Sequence, residues 1–354
     1  MDARYLQGKE ELKSQTVDEE RRSFLTAGLV GGAVAAGAMV AGVAQAQQAA
    51  APALTSGPFW PHPKWGKDDV AGASNWITPA KVLDAVKWIK DGKVYRIGRV
   101  YEAGMPKFGE RAFTLRIPGS PTGGPFGANR LVYHDEYLAT EIGQTGTQFD
   151  GLGHIGIQMG KDGDKNEMRY YNGHTEQEIG GAYGLAKIGV ENCKPFFTRG
   201  HLFDVEAIKP NMEAGQEITV ADLRACLQKQ NMQEADIKEG DAVFFNTGWG
   251  KLWMKNNDKF NSGEPGIGLE VAEWCVDKNV CLTGADQWAT EVVPNPNKDL
   301  AFAVHGELIC KNGIYNHENL DFTIADRKYQ FVYVFSPAPI KGATGSNGGP
   351  IAVT

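Results

Sequence analysis

Four side chains able to approach a metal ion fall at the first, fifth, seventh and eleventh positions of Gln144-Thr145-Gly146-Thr147-Gln148-Phe149-Asp150-Gly151-Leu152-Gly153-His154. Asp150 and His154 stand four residues apart, and glycines at 146, 151 and 153 let the backbone turn tightly around an ion. A divalent cation takes carboxylate and imidazole ligands, with amide oxygens as weaker ones. Far downstream, the stretch from His305 to Leu320 supplies a second imidazole and an acid, Glu318. Such an ion lowers the pKa of bound water from about 15.7 to about 7 and polarises a carbonyl, so the chemistry in view is hydrolysis of an amide or ester. His154 and Glu318 are both candidates for moving a proton to the leaving nitrogen or oxygen. The residues alone leave open which of the two ligates and which carries the proton.

A planar substrate needs walls, and Trp60, Trp65, Phe108, Phe149 and Trp249 are the candidate aromatics. Trp249 is the foremost, because it follows a predicted strand end in Thr247-Gly248-Trp249. Asp286 and Glu291 are candidates for a hydrogen-bond network behind the ligands. His317 adjoins Glu318 but would point the other way on a strand, so it is set aside.

The elements that must position these groups are legible in part. Thr78-Pro79 starts a helix with Val82, Ala85, Val86 and Ile89 on one face and Gly92 just beyond its end. A second helix is predicted over 219–230, with Thr219 as its cap and Leu223 and Leu227 on its inner face. Strands are predicted over 93–100, 112–117, 241–247, 279–284 and 328–335. With no regular alternation of strand and helix, the class is mixed α/β (α+β), one domain over 76–340. Residues 47–75 read as an irregular arm, and the Gly- and Ser-rich tail, 341–354, reads as loop.

The 354 residues are 42% hydrophobic and 10% aromatic, enough for a sizeable core, which excludes disorder as a whole-chain description. A net charge of −7 argues against nucleic acid as a partner and for a small-molecule substrate. No phosphate-cradling glycine loop is present. Residues 1–46 resemble a twin-arginine export signal: Arg21-Arg22 precede an uncharged run from Ser23 that ends in Ala44-Gln45-Ala46. The partner implied is the Tat export machinery and the destination the periplasm; the alternative is an uncleaved membrane anchor. The cysteines number five, with no paired spacing, and are expected to be buried apolar side chains.

Taken together, the 144–154 and 305–320 blocks resemble the metal-dependent hydrolase family labelled cyclase, which includes bacterial kynurenine formamidase and isatin hydrolase. Gly104-Met105-Pro106, Thr198-Arg199-Gly200-His201, Gly240-Asp241 and Gly284-Ala285-Asp286 agree with it in order, so the resemblance spans roughly residues 75–335. The family pattern is His-x-Gly-Thr-His-x-Asp-x-x-x-His, and this chain has Gln144 and Gln148 where the pattern has its first two histidines. The resemblance implies a swivelling β/β/α domain and a homodimer or higher homo-oligomer. It also implies one Zn²⁺ or Mn²⁺ held by Asp150, His154, His305 and Glu318. The site that the two missing histidines would build is expected to be emptied or weakened, with Gln144 and Gln148 left as weak ligands or binders of water. The expected activity is hydrolysis of a small amide, cyclic amide or lactone, arylformamidase-like in type. Kynurenine formamidase itself fits poorly, because that reaction is cytoplasmic and both glutamines fall at its ligand positions. The rivals are a periplasmic binding protein on the same scaffold and a metal-dependent lyase.

Overall fold

Nine strands build the main sheet of the computed structural model, which describes residues 60–323 and 328–354. Their order is Val94–Arg96, Ile351–Val353, Gln330–Phe335, Phe196–Asp204, Ala242–Asn246, Leu282–Ala285, Tyr315–Glu318, Gln148–Asp150 and Gly345–Asn347. The four from Phe196–Asp204 to Tyr315–Glu318 run parallel to one another, and the strands outside them are antiparallel to their neighbours. The fold is mixed α+β. The export-signal reading and the first part of the expected arm lie outside the described residues. No helix among the described residues is long and apolar enough to cross a membrane.

The predicted elements form close to where the local signals put them. Thr78 caps the Pro79–Val86 helix by accepting the Lys81 N–H, as a threonine before proline at the first helical position should. Thr219 and Asp222 form a reciprocal capping box on the Val220–Lys229 helix, which buries Leu223, Cys226 and Leu227. The central strands carry Val243, Phe244, Phe245, Leu282, Phe331 and Tyr333 into one core. Four of the five cysteines are buried, and Cys193 is partly so.

The tail corrects its sequence reading. Gly345–Asn347 forms the strand beside Gln148–Asp150, and Ile351–Val353 pairs with both Gln330–Phe335 and Val94–Arg96. Glycine is required in that first strand, because a Cβ on Gly345 would stand 2.4 Å from the Phe149 carbonyl oxygen. The composition that reads as loop is thus a close backbone approach beside the strand that carries Asp150.

The Thr198-Arg199-Gly200-His201 and Gly240-Asp241 segments make a buried ionic cluster instead of joining the 144–154 block. Asp241 accepts from Arg199 Nε at 2.9 Å and Nη2 at 2.8 Å, meets His201 Nε2 at 2.8 Å and pairs with Lys81.

Candidate metal centre

Strand register assembles the site. Gln148 lies opposite Glu318 and Asp150 opposite Asn316 across the antiparallel pair. The two-residue period of a strand puts these four side chains on one face and Phe149 and His317 on the other. The third contribution comes from a short α-turn, Ala303–His305, which runs into a π-helical segment, Gly306–Lys311. Such π segments are frequent at functional sites.

Asp150, His154 and His305 each offer one ligand atom, and these atoms lie within 4.8 Å of one another. Asp150 Oδ1 is 3.7 Å from His154 Nε2, and Asp150 Oδ2 is 3.7 Å from His305 Nε2. Asp150 and His305 are buried, whereas the His154 side chain is 24% exposed, so the group opens to solvent on the His154 side. A carboxylate oxygen and two imidazole nitrogens at this spacing suit a borderline divalent ion such as Zn²⁺ or Mn²⁺. The fourth expected ligand, Glu318, stands beside this group, with Oε1 3.2 Å from His305 Nε2.

Glu318 is held by amides. Gln144 Nε2 donates to its Oε2 at 2.9 Å, Gln148 Nε2 to the same oxygen at 2.6 Å, and Asn316 Nδ2 to Oε1 at 2.9 Å. Gln148 Nε2 also donates to Asp150 Oδ1 at 3.0 Å, and Asn316 Nδ2 to Asp150 Oδ2 at 3.3 Å. The Gln148 amide has one orientation, because its Oε1 accepts the backbone N–H of Gln144. In this arrangement the Gln148 oxygen is engaged, whereas the Gln144 Oε1 is buried with no hydrogen-bond partner among the described residues and is the amide oxygen left to meet an ion or a water. Each turns its N–H donors toward Glu318, and an amide nitrogen with its protons in place does not ligate a cation, so any ligation by these residues falls to their oxygens.

Burial and mutual charge set the protonation states. Burial pushes the Glu318 carboxyl up, the neighbouring Asp150 charge adds to this, and its pKa reaches about 8. Burial also acts to raise Asp150, but His154, His305 and Asn316 outweigh it and hold the carboxyl below the usual range. Burial lowers the His154 pKa against the pull of Asp150, and the charges of His305 and Arg111 lower it further. His305 rises well above the ordinary histidine value despite burial, because Asp150, Glu291 and Glu318 surround it.

Glu291 sits directly behind His305. One of its oxygens lies 2.5 Å from His305 Nδ1 and accepts the His305 backbone N–H at 3.0 Å; the other accepts the Val304 N–H at 3.3 Å. That contact turns His305 Nε2 toward Asp150 and Glu318, which is how a carboxyl group orients a ligating imidazole. Asp286 has a different job. It accepts from the Thr247 N–H and hydroxyl, both at 2.8 Å, and from the Gly250 N–H at 2.9 Å, stapling that turn without touching the site.

The expected aromatic walls are largely elsewhere. Phe149 packs behind the sheet with Phe196, Tyr315 and Phe335. Trp249 is buried in a separate cluster with Met105, Trp253, Phe260 and Trp288. Trp60 donates its indole N–H to the Cys310 carbonyl, and Trp65 packs on His62 and Trp76. Phe108 is the exception: its ring lies 4.9 Å from Trp288, Trp288 lies 6.5 Å from Phe302, and Phe302 lies 5.9 Å from His305. Trp288, which shares the Trp249 cluster, and Phe302, which meets His305, are aromatics that sequence reasoning did not single out. Asn316 was missed too, although the alternation that sets His317 aside brings it in.

Non-glycine residues with left-handed backbone crowd around the site: Gln144 (φ 59°), Thr290 (φ 59°), Phe302 (φ 50°) and Asn319 (φ 55°). Thr290 and Asn319 flank Glu291 and Glu318 directly. A β-branched residue in this region is strained, and such strain collects where side chains are held in demanding positions.

The description "putative cyclase" belongs to the family model that matches residues 95–292. A solved structure described as a novel cyclase is 30% identical, with a TM-score of 0.71, covering 82% of this chain and 96% of that one. Isatin hydrolase A from Ralstonia solanacearum is 20% identical (TM-score 0.55), covering 73% of this chain and 91% of its own. Isatin hydrolase A from Labrenzia aggregata, bound to benzyl benzoate, is 18% identical at the same TM-score of 0.55 and covers 73% and 93%. At these identities the two isatin hydrolases show likeness of fold. No curated protein matches the chain.

Proposed function

The chain belongs to the cyclase family, and from that premise we propose that it is a metal-dependent hydrolase of a small amide, cyclic amide or lactone. Asp150, His154 and His305 would hold one divalent ion, Zn²⁺ or Mn²⁺, and Glu318 moves the proton. The observation that carries this reading is the convergence of three ligand atoms within 4.8 Å, beside a carboxyl held by three amides.

When bound, such an ion acidifies water and polarises the carbonyl to be attacked. The residues of the chain do the rest. Glu291 fixes the His305 ring so that Nε2 faces the reaction side. Glu318, buried beside the ligand atoms with Oε1 3.2 Å from His305 Nε2, stands where a general acid–base group is needed. Gln144 and Gln148 tie down Oε2, and Oε1 is the oxygen on the His305 side. Oε1 takes a proton from the attacking water and returns it to the leaving nitrogen or oxygen.

Export by the Tat machinery to the periplasm is part of the proposal and rests on the sequence alone. Homo-oligomer formation is also part of it, supported by the apolar surface of residues 113–140. The decisive experiment measures metal content per chain and then turnover on N-formylkynurenine, isatin and simple lactones. Stoichiometric metal with water-dependent turnover supports the hydrolase, with product analysis separating hydrolysis from elimination. Ligand binding without product overturns it in favour of a binding protein, a reading that the two glutamines favour.

A further inference from the structure

Arg111 carries a charge that the site chemistry does not use. Among the described residues its guanidinium meets no carboxylate. Its Nη1 donates to the Phe108 carbonyl at 2.7 Å, and its Cζ lies 5.6 Å from the Phe108 ring centroid. Phe108 in turn begins the aromatic run through Trp288 and Phe302 that ends on His305. The same loop is tied to the site by its backbone: the Phe108 N–H donates to the Gln144 carbonyl at 3.3 Å, and Lys107 bridges to Thr145. Arg111 is also near enough for its charge to be felt at His154, the open edge of the ligand group.

A cation held beside the Phe108 ring, partly exposed and with no acidic partner among the described residues, is the complement of a planar ring bearing an anion. Asp150, Glu264, Glu291 and Glu318 crowd the interior with buried carboxyl groups. With an ion bound among them, an anionic substituent has two places to go: the ion at depth or Arg111 at the rim. Arginine suits this task, since its planar fork binds a carboxylate through two parallel hydrogen bonds.

We propose that Arg111 is a specificity-determining residue that selects planar aromatic substrates carrying a carboxylate remote from the scissile bond. The inference rests on the hydrolase reading and names its substrate class.

Terephthalate and benzoate separate a rim carboxylate from one bound at the ion. Titration calorimetry on the Zn²⁺-loaded protein is expected to show terephthalate binding about tenfold more tightly than benzoate, the size of one charge-assisted contact. Arg111→Met should erase that preference, and Arg111→Lys should retain part of it. Both variants should keep the metal content of the parent, which confirms that the fold and the ligand group are intact. If the parent does not prefer terephthalate, or if Arg111→Met keeps the preference, the assignment is overturned. A protein that takes up no ion sinks the hydrolase reading itself, whereas an ion-loaded protein indifferent to the second carboxylate sinks only the role of Arg111.

Discussion

Gln148 faces Glu318 as a hydrogen-bond donor, with its amide nitrogen 2.6 Å from Oε2. The same nitrogen is 3.0 Å from Asp150 Oδ1, so one –NH₂ group stands between two buried carboxyl groups. That is ground a second cation would otherwise occupy. Imidazole nitrogens in place of the two amides would present lone pairs there instead of protons. The double substitution Gln144→His, Gln148→His is expected to raise the metal content from one ion per chain to two, measured by elemental analysis after dialysis. Gln144→Ala alone should leave the ion in place. An unchanged count in the double variant would show that the amides do not exclude a second ion.

Glu291 offers a test of the ligand group that leaves the ligands untouched. Because it holds His305 Nδ1 at 2.5 Å, Glu291→Gln should weaken metal affinity about 10–100-fold, the usual cost of losing an orienting partner. Competition with a chromophoric chelator gives the number. Affinity equal to the parent's would mean that His305 is not a ligand, or that its orientation is set elsewhere.

Much of this arrangement was legible in the sequence, and the parts that were not share a physical origin. Spacing alone points to Asp150 and His154, and strand alternation correctly separates His317 from Glu318. The structure keeps His317 against Phe149 and Phe335, with Nδ1 2.6 Å from the Tyr333 hydroxyl, and burial lowers its pKa to about 3. The donor side of Gln148 could not be read, because it is fixed by the backbone N–H of a residue whose left-handed turn no residue type announces. Trp249 stands first among the candidate aromatics because it follows a strand end, yet Trp288 also lies just past one, the end of Leu282–Ala285. Both indoles donate to the Phe260 carbonyl, at 3.2 and 3.1 Å, but only Trp288 continues to Phe108 and Phe302. The tail strands escaped notice because their pairing partners, not their own propensity, make them strands.

Acid stability should trace to the other buried cluster. Burial acts to raise Asp241, yet His201, Arg199 and Lys81 outweigh it and hold its pKa below the usual value. A carboxyl depressed in the folded state stabilises the fold above its unfolded pKa of about 3.9 and loses that contribution as pH falls through the lower folded value. Asp241→Asn should therefore cost about 3–5 kcal/mol at pH 7, since it strips Lys81 of its carboxylate and leaves Arg199 only the half-exposed Asp84. It should also flatten the fall in stability below about pH 4. Urea denaturation of both proteins between neutral and acid pH tests this. A variant as stable as the parent at pH 7 would show the cluster to be energetically idle.

The arm from Phe113 to Thr140 supplies the last test. Phe113–Arg116 pairs with Tyr137–Thr140, and Leu115 stands directly opposite Leu138 although the two are 57% and 46% exposed. Phe126, Leu131, Val132 and Tyr137 are also more than half exposed. Apolar side chains gathered this densely on two separate two-stranded ladders are unstable in water unless something covers them. Both ends of the arm lead back to the site, through Arg111 on one side and Gln144 on the other, so a second copy that covers it would border the substrate's way in. We expect the parent to sediment as a dimer or larger species. Leu115→Glu combined with Leu138→Lys should shift it to monomer with its circular dichroism unchanged, since a cross-strand charge pair preserves the ladder while making its face polar. A parent that sediments as monomer, or a charged variant that still assembles, would assign this surface to another partner.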